Sequence, residues 1–510
     1  MRSRIPVAVL VVSLATVMAG MPAPLGASAV GTSADVATSL FHTAGSPAVD
    51  RFANPAGGPV TAQELPGSTN PTEPYAGMSQ GCGLPGPVPA SSSTIAIESA
   101  LCYPVNPATG ALSLTFDDLS VPERGPALDL TRTYNSVLAS TDGPFGRGWS
   151  ASWSMHLTFT KTAVTVHQEN GSEVTFARTK KKTVFRSKPR VIAILTGVPK
   201  SAGGGYILTR GARDAACSTF DRACVMYGFS GSGRLLKETD LDGNSTTFAY
   251  DTSGRLVSAT DAAGRTVTLS YTGNHVSRML DVAGRTTSYQ YDANGNLTAV
   301  THPGDIVTRF TYDGKHRLTA LTDSMNDTTG YAYDSKGRVT AITDPLGRPL
   351  RFTYGKLSTT IADYRGGQET VGYEKVIGVN KVEAVTLKRG TVSEPGLSNW
   401  LSSFDSKTLA PTSIKDPNGA VSKYTYDSLG DILTATYPLG HRTTYRYNPG
   451  ARSATMIDPT GAATSWTYDP RGNLVSVQAP LQTLIQLHHG DPSHPGDLTS
   501  VTDPGGQVWS

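Results

Sequence analysis

The chain has 510 residues, with 53 Gly and 33 Pro that together make about 17%, short of the roughly 25–30% of disordered low-complexity sequence. Charged residues are 17%, and 44 basic side chains nearly balance 41 acidic ones, so no global charge draws the chain to nucleic acid or an anionic membrane. Coiled coil, collagen and helical bundle are excluded by Gly and Pro at this density, whereas 21 Tyr and 38% hydrophobic residues point to β structure around a sizeable core.

The first residues set the expected compartment. Arg2 and Arg4 precede the apolar run Ile5–Ala19, then Pro22, Pro24 and Gly26, and Ala27-Ser28-Ala29 is a small-residue cleavage pattern. Residues 1–29 therefore read as a secretory signal peptide cut after Ala29. The expected product is secreted, extracellular or cell-wall associated, with no transmembrane anchor in the mature chain. Residues 30–100 are rich in Ala, Gly, Ser, Pro and Thr and read as a flexible low-complexity leader.

The four cysteines, Cys82, Cys102, Cys217 and Cys224, fit disulfides in an exported chain. Local pairing is the simplest of three connectivities, and all three stay open at this point. A four-thiolate zinc site is the rival, but neither pair has C-x-x-C spacing.

Residues 101–228 read as an N-terminal antiparallel β module. "ALSLTFDDLSV", "LDLTRTYNS" and "SMHLTFT" are short strand-like runs, and "VTVHQENGSEVTF" places Asn170-Gly171 between two β-rich arms, which predicts a hairpin. A basic run follows at Arg178, Lys180, Lys181, Lys182, Arg186, Lys188 and Arg190. It reads as a solvated hairpin whose cations protect an edge strand, with anionic wall polymers or nucleic acid as the competing partners.

From residue 229 to 510 the chain repeats. Phe229, Tyr250, Tyr271, Tyr291, Tyr312, Tyr333 and Tyr354 lie 20 or 21 residues apart, and after an irregular stretch at 374–403 the phase resumes at Phe404, Tyr426, Tyr447 and Tyr468. A fixed period of this length means stacked supersecondary units. Each unit holds two Asp-x-x-Gly turns, as in Asp251 to Gly254 and Asp261 to Gly264, with six or seven strand-forming residues between them. Asp accepts a backbone hydrogen bond at the first turn position, and Gly at the fourth takes the positive φ that rejoins an antiparallel strand. The same grammar recurs at Asp292, Asp334, Asp344, Asp427, Asp458 and Asp469. Alternation puts Phe248 and Tyr250 on one face, where the aromatics can form a ladder. The last residues, "LTSVTDPGGQVWS", stop in mid-repeat.

These motifs carry a resemblance. "YDTSGRL", "YDANGNL", "YDSKGRVTAITDPLGR" and "YDPRGNLVSV" resemble the YD repeat of bacterial RHS proteins. "NPATGALSLTFDDLSVPERGPALDLTRTYNS" followed by "GPFGRGWS" is similar to the N-terminal module of unassigned function that precedes such repeats. The resemblance implies a mostly β fold, almost without helix beyond the signal peptide. In it the module continues into a β-sheet that spirals into an open or partial shell. In the family such a shell often holds a C-terminal toxin. The terminal core segment, its self-cleaving aspartate and an effector domain have no match in these residues.

Three constellations have residue types that suit chemistry or binding. His488, His489, Asp491, His494 and Asp497 have the residue types of a zinc or acid–base site, but His489 occupies the aromatic repeat position and the rest reads as a turn insertion. Asp240, Asp242, Asn244 and Asp251 approach a calcium-loop spacing, but Ser245 stands where the loop needs Gly. The repeat tyrosines could stack on sugar rings, although strict periodicity is what folding itself demands. No catalytic residue, metal ligand or cofactor is assigned. The expected function is a secreted, non-catalytic scaffold, the shell-forming part of a polymorphic-toxin or contact-dependent competition system. Its expected partner is a toxin or effector encoded downstream, not nucleic acid. The alternative is a surface adhesin that binds cell-wall carbohydrate.

Overall fold

The computed structural model describes residues 104–121, 125–180, 183–187, 193–210, 225–376, 379–388, 400–405, 410–416, 418–427, 431–448 and 452–510. The expected signal peptide, its cleavage site at Ala29, the leader and all four cysteines lie outside them. Among the described residues no helix is long and apolar enough to cross a membrane.

The chain is mostly β. Strands Ser113–Val121, Leu128–Asn135 and Trp149–Ala151 form one small antiparallel sheet, and His156–Phe159, Ala163–His167, Glu173–Arg178 and Phe185–Arg186 form another. The Asn170-Gly171 hairpin closes as expected, with His167 opposite Glu173 and Gly171 at φ 82°. Among the described residues, 29 further strands, from Ala193–Gly197 to Val508–Trp509, build a single open sheet in which each strand pairs with its sequence neighbours. The long sheet thus begins at Ala193, within the stretch read from sequence as the module.

One unit shows why the period is about 21. Strand Ser245–Tyr250 is followed by the turn at 251–255, strand Leu256–Thr260, the turn at 261–265, and strand Thr266–Thr272. In the first turn the Asp251 N–H donates to the Arg255 carbonyl and the Gly254 N–H to the Asp251 carbonyl, both at 2.9 Å. The Asp251 carboxylate accepts from the Arg255 backbone N–H at 2.9 Å and from its guanidinium at 2.8 Å. Gly254 sits at φ 83° and Gly264 at 80°, the left-handed region in which a β-carbon would be strained. After each Tyr-Asp turn the register slips by one residue, as where Tyr250 faces Leu256 while Ala249 faces Ser258. The slip recurs after Tyr271, Tyr291, Tyr312 and Tyr333. Such a bulge bends and over-twists its strand, so a bulge at the same place in successive units coils the sheet.

Coiling gives the sheet an inner apolar face. Phe248, Leu269, Tyr289, Phe310, Tyr331 and Phe352 are buried on it, three residues or fewer from outward-facing Thr, Ser or Arg. The two small sheets dock against this inner face. Phe116 meets Phe310 edge-on at 5.5 Å between ring centroids, Trp149 meets Phe310 at 5.2 Å, and Phe145 meets Tyr289 at 5.3 Å. All belong to one continuous hydrophobic core. Further along, the coil returns on itself. A β-carbon built on Gly496 would collide with the Asp242 carboxylate, although the strands bearing these two turns are separated by on the order of 110 Å along the sheet.

Candidate functional site: a buried dock and a hydrogen-bonded tyrosine ladder

The repeat tyrosines are built into the sheet by their hydroxyls. Six of them donate to the carbonyl fifteen residues back, at the start of the strand that follows the preceding turn on the same rim. Tyr250 bonds Leu235 at 2.6 Å, Tyr271 bonds Leu256 at 2.7 Å, Tyr291 bonds Val276 at 2.8 Å, Tyr333 bonds Leu318 at 2.9 Å, Tyr354 bonds Val339 at 2.5 Å and Tyr426 bonds Pro411 at 2.8 Å. A second tie runs the other way. The turn arginine that pairs with its own Asp lies over the next tyrosine ring, Arg255 at 4.9 Å from the Tyr271 centroid, Arg317 at 4.7 Å from Tyr333 and Arg338 at 4.4 Å from Tyr354. Such cation–π contacts add modestly to the hydrogen bonds. From the turns at Asp251, Asp313 and Asp334, three motif residues, Tyr, Asp and Arg, therefore lock one unit to the next. At Tyr271, Tyr333 and Tyr354 a guanidinium thus occupies one of the ring faces that a stacked sugar would need.

His489 confirms its place in this scheme. Its Nε2 lies 3.1 Å from the Leu474 carbonyl, again fifteen residues back, and its Nδ1 lies 3.3 Å from the Gly496 carbonyl. The other members of the cluster point elsewhere. His488 pairs with the Thr502 hydroxyl at 3.0 Å, and His494 with Asp491 at 3.2 Å. Among the described residues no group of three His, Cys, Asp or Glu side chains converges as metal ligands. The insertion instead packs on the preceding turn, where Asn473 Nδ2 donates to the Pro495 carbonyl at 3.0 Å, and reaches across the coil, where Gly496 abuts Asp242. The calcium-like set is likewise divided. Asp240 is bound to Asn244 through both backbone and amide at 2.9 and 2.8 Å, and Asp251 serves the following turn on the opposite rim. Of the basic run, Arg178 and Arg186 lie in a two-stranded pairing with Phe185 and Ala177, and Arg178 also donates to the Thr160 carbonyl at 3.2 Å. Lys181, Lys182, Lys188 and Arg190 lie outside the described residues.

The dock was not legible as a site. At its centre Arg132 and Asp118 form an ion pair with side chains 1% and 0% exposed. Arg132 Nη2 donates to Asp118 Oδ1 at 2.8 Å, and the Tyr289 hydroxyl from the repeat sheet donates to Asp118 Oδ2 at 2.7 Å. The guanidinium lies 4.8 Å from the Trp149 ring centroid and 5.4 Å from that of Tyr289. Burial, with the Asp118 charge beside it, pushes the Tyr289 phenol well above its ordinary value. Around this centre, Trp149 Nε1 donates to the Tyr312 hydroxyl at 3.0 Å, and the Leu318 N–H donates to the Tyr134 hydroxyl at 2.8 Å. Backbone bonds extend the seam along the rim, Val276 N–H to Pro144 at 2.8 Å and Val339 N–H to Gly110 at 2.9 Å. Gly110, at φ 74°, leaves no room for a β-carbon beside Arg338. The sequence signal was present in "FDDLSV" and "LTRTYN": an Asp and an Arg inside apolar strands need each other once buried.

A second charged cluster joins the four-stranded sheet to the start of the coil. Arg210 forks onto Glu169 at 2.7 and 2.6 Å and bonds Gln168 at 2.9 Å. Burial, together with the charges of Glu169 and Asp129, pushes the Glu238 carboxyl up to about 8 despite the opposing pull of Arg210.

A coiled repeat sheet with a module docked on its inner face defines a scaffold architecture. The RHS Repeat profile matches residues 229–266, 270–307, 291–327, 312–349, 333–369 and 408–442, and a domain of unknown function (DUF6531) matches residues 102–176. The chain belongs to the RHS-repeat family. Among curated proteins, tRNA nuclease WapA of Bacillus subtilis strain 168 and tRNA(Glu)-specific nuclease WapA of Bacillus subtilis subsp. natto are each 53% identical over 47 residues, 9% of this chain. The match spans 2% of the length of either relative. Among solved structures, the Photorhabdus luminescens Tc holotoxin pore is similar over 70% of this chain and 22% of its own, at 14% identity and a TM-score of 0.38. TcdB2-TccC3 without its hypervariable C-terminal region is similar over 74% and 23%, at 12% identity and a TM-score of 0.35.

Proposed function

We propose that this chain is a secreted, non-catalytic scaffold that forms the wall of a shell around a toxin or effector polypeptide encoded downstream, in a contact-dependent competition system. The observation that carries the reading is the coil itself. A bulge recurring after the repeat tyrosines bends the sheet one way, an apolar face is turned inward, and the insertion around Gly496 returns to the first repeats at Asp242. The docked module anchors the start of that wall through Arg132, Asp118 and Tyr289. Membership of the RHS-repeat family supports the association with toxins, as does the short match to proteins named as tRNA nucleases. Export is supported by the sequence of residues 1–29.

The test is co-expression of the full chain with the reading frame that follows it. A downstream polypeptide that co-purifies with the chain, and resists protease until the chain is unfolded, is the expected result. A polypeptide that is digested equally fast with and without the chain would overturn the reading.

A further inference from the structure

His489 differs from the repeat tyrosines in the number of bonds its ring can make. A tyrosine hydroxyl has one hydrogen, and in six repeats it goes to the carbonyl fifteen residues back. The His489 ring faces two carbonyls at once, Leu474 at 3.1 Å from Nε2 and Gly496 at 3.3 Å from Nδ1. A neutral imidazole carries one N–H, so its other nitrogen would set a lone pair against a carbonyl oxygen. Imidazolium carries two N–H groups and satisfies both carbonyls. The number of bonds this ring makes therefore follows the number of protons on it. The side chain is half-buried, so protons from solution reach it.

The second bond acts where the coil returns on itself. Gly496 is the residue that abuts the Asp242 carboxylate, so the His489 ring and the first repeat hold it from two sides. A separate tie, the Asn473 amide on the Pro495 carbonyl at 3.0 Å, involves no titratable group. Loss of one ring proton thus frees Gly496 while Pro495 stays anchored to the preceding turn.

The charged and titratable groups around the ring come from three places. Asp469 and His488 line the same cavity, with Arg471 on the Asp469 turn. Asp491, His494 and Asp497 belong to the insertion, and Asp242 belongs to the first repeat. Asp491 pairs with His494 at 3.2 Å, and Asp469 accepts from the Arg471 and Asn473 N–H groups at 2.8 Å.

We infer that His489 is a proton-operated clasp on the coil: charged, it draws the insertion against the first repeat at Asp242, and neutral, it lets that contact open. The clasp acts on the wall itself, whatever the wall encloses.

The experiment is hydrogen exchange on the full chain at about pH 5.5 and pH 8, which bracket the ordinary charge change of histidine. It is read in the peptide spanning 490–499, after correction for the intrinsic pH dependence of exchange. The parent is expected to protect this peptide about fivefold more at the lower pH, the effect of one net hydrogen bond. His489→Tyr, which installs the residue of the other repeats, should remove the difference. Where tyrosine does not fit beside the insertion, His489→Gln should give the same flat profile with a smaller side chain. His494→Gln is expected to keep the parent's step. A parent without the step would overturn the proposal. So would a step that survives in both His489 variants or disappears in His494→Gln, which would assign it to Glu238, four residues before Asp242, or to the Asp491–His494 pair. None of these outcomes bears on encapsulation of a downstream polypeptide.

Discussion

Asp118→Ala is the sharpest perturbation of the dock. It leaves the Arg132 guanidinium buried, 1% exposed, without its counter-charge, and leaves the Tyr289 hydroxyl without its acceptor. Removing one partner of a buried ion pair costs about 3–5 kcal/mol, because an uncompensated charge remains in a low-dielectric site. Loss of a charge-assisted hydrogen bond falls at about 1.5–3 kcal/mol and overlaps with that figure, so the total expected is about 4 kcal/mol. The double variant Asp118→Leu/Arg132→Met removes both charges and keeps most of the volume. Such replacements are often neutral or mildly stabilising, so it should recover most of the loss, less what Tyr289 forfeits. The assay is urea unfolding of the full chain followed by hydrogen exchange on strands Ser113–Val121 and Leu128–Asn135. The single variant should lose protection in those strands first, while the ladder at 291–354 stays protected. A loss below about 1 kcal/mol for Asp118→Ala would refute the reasoning, since it would mean that water already reaches the pair.

Three further outcomes follow from the same contacts. Tyr333→Phe keeps the ring beneath Arg317 and deletes only the 2.9 Å bond to Leu318; it should cost about 1 kcal/mol, read as a shift in urea midpoint with an unchanged slope. Acid should weaken the array. Against the cost of burial, backbone and guanidinium bonds hold the Asp281 and Asp334 carboxyls below their ordinary value, and the Arg348 guanidinium and backbone do the same for half-buried Asp344. Stability from such depressed groups is complete above the unfolded value of about 4 and disappears as pH falls through their folded values, so thermal scans should show a steep loss below about pH 4. Glu238 works in the opposite direction. Its raised value, about 8, means that the folded state holds a proton the unfolded chain has released, so stability falls between about pH 4.5 and 8 and then levels off. Glu238→Gln should remove that alkaline decline, and an unchanged pH profile in the variant would show the group to be fully hydrated.

Much of the array was readable because local and global demands coincide at each motif residue. Asp251 closes its turn, Gly254 takes the left-handed backbone, and Tyr271 fills both the aromatic phase and the hydrogen bond to Leu256. Period and residue type therefore report the same structure. His489 shows the rule from the other side, since a histidine at the tyrosine position keeps the fifteen-residue tie to Leu474. The dock was hidden because its partners, Asp118, Arg132, Tyr289 and Trp149, lie up to 171 residues apart and obey no local period. The contact between Gly496 and Asp242 was hidden for a related reason. It depends on curvature accumulated over many small bulges, and no single motif contains it.

The central claim is that the repeat sheet coils back upon itself. Asp242→Cys/Gly496→Cys tests it directly, because a β-carbon built on Gly496 stands 2.9 Å from Asp242 Cγ, which puts the two β-carbons about 4 Å apart, within disulfide reach. In the folded full chain under mild oxidation, peptide mapping should recover a 242–496 cross-link that is absent after unfolding in urea. A folded chain in which these two cysteines remain reduced, or link only between molecules, would contradict the coil.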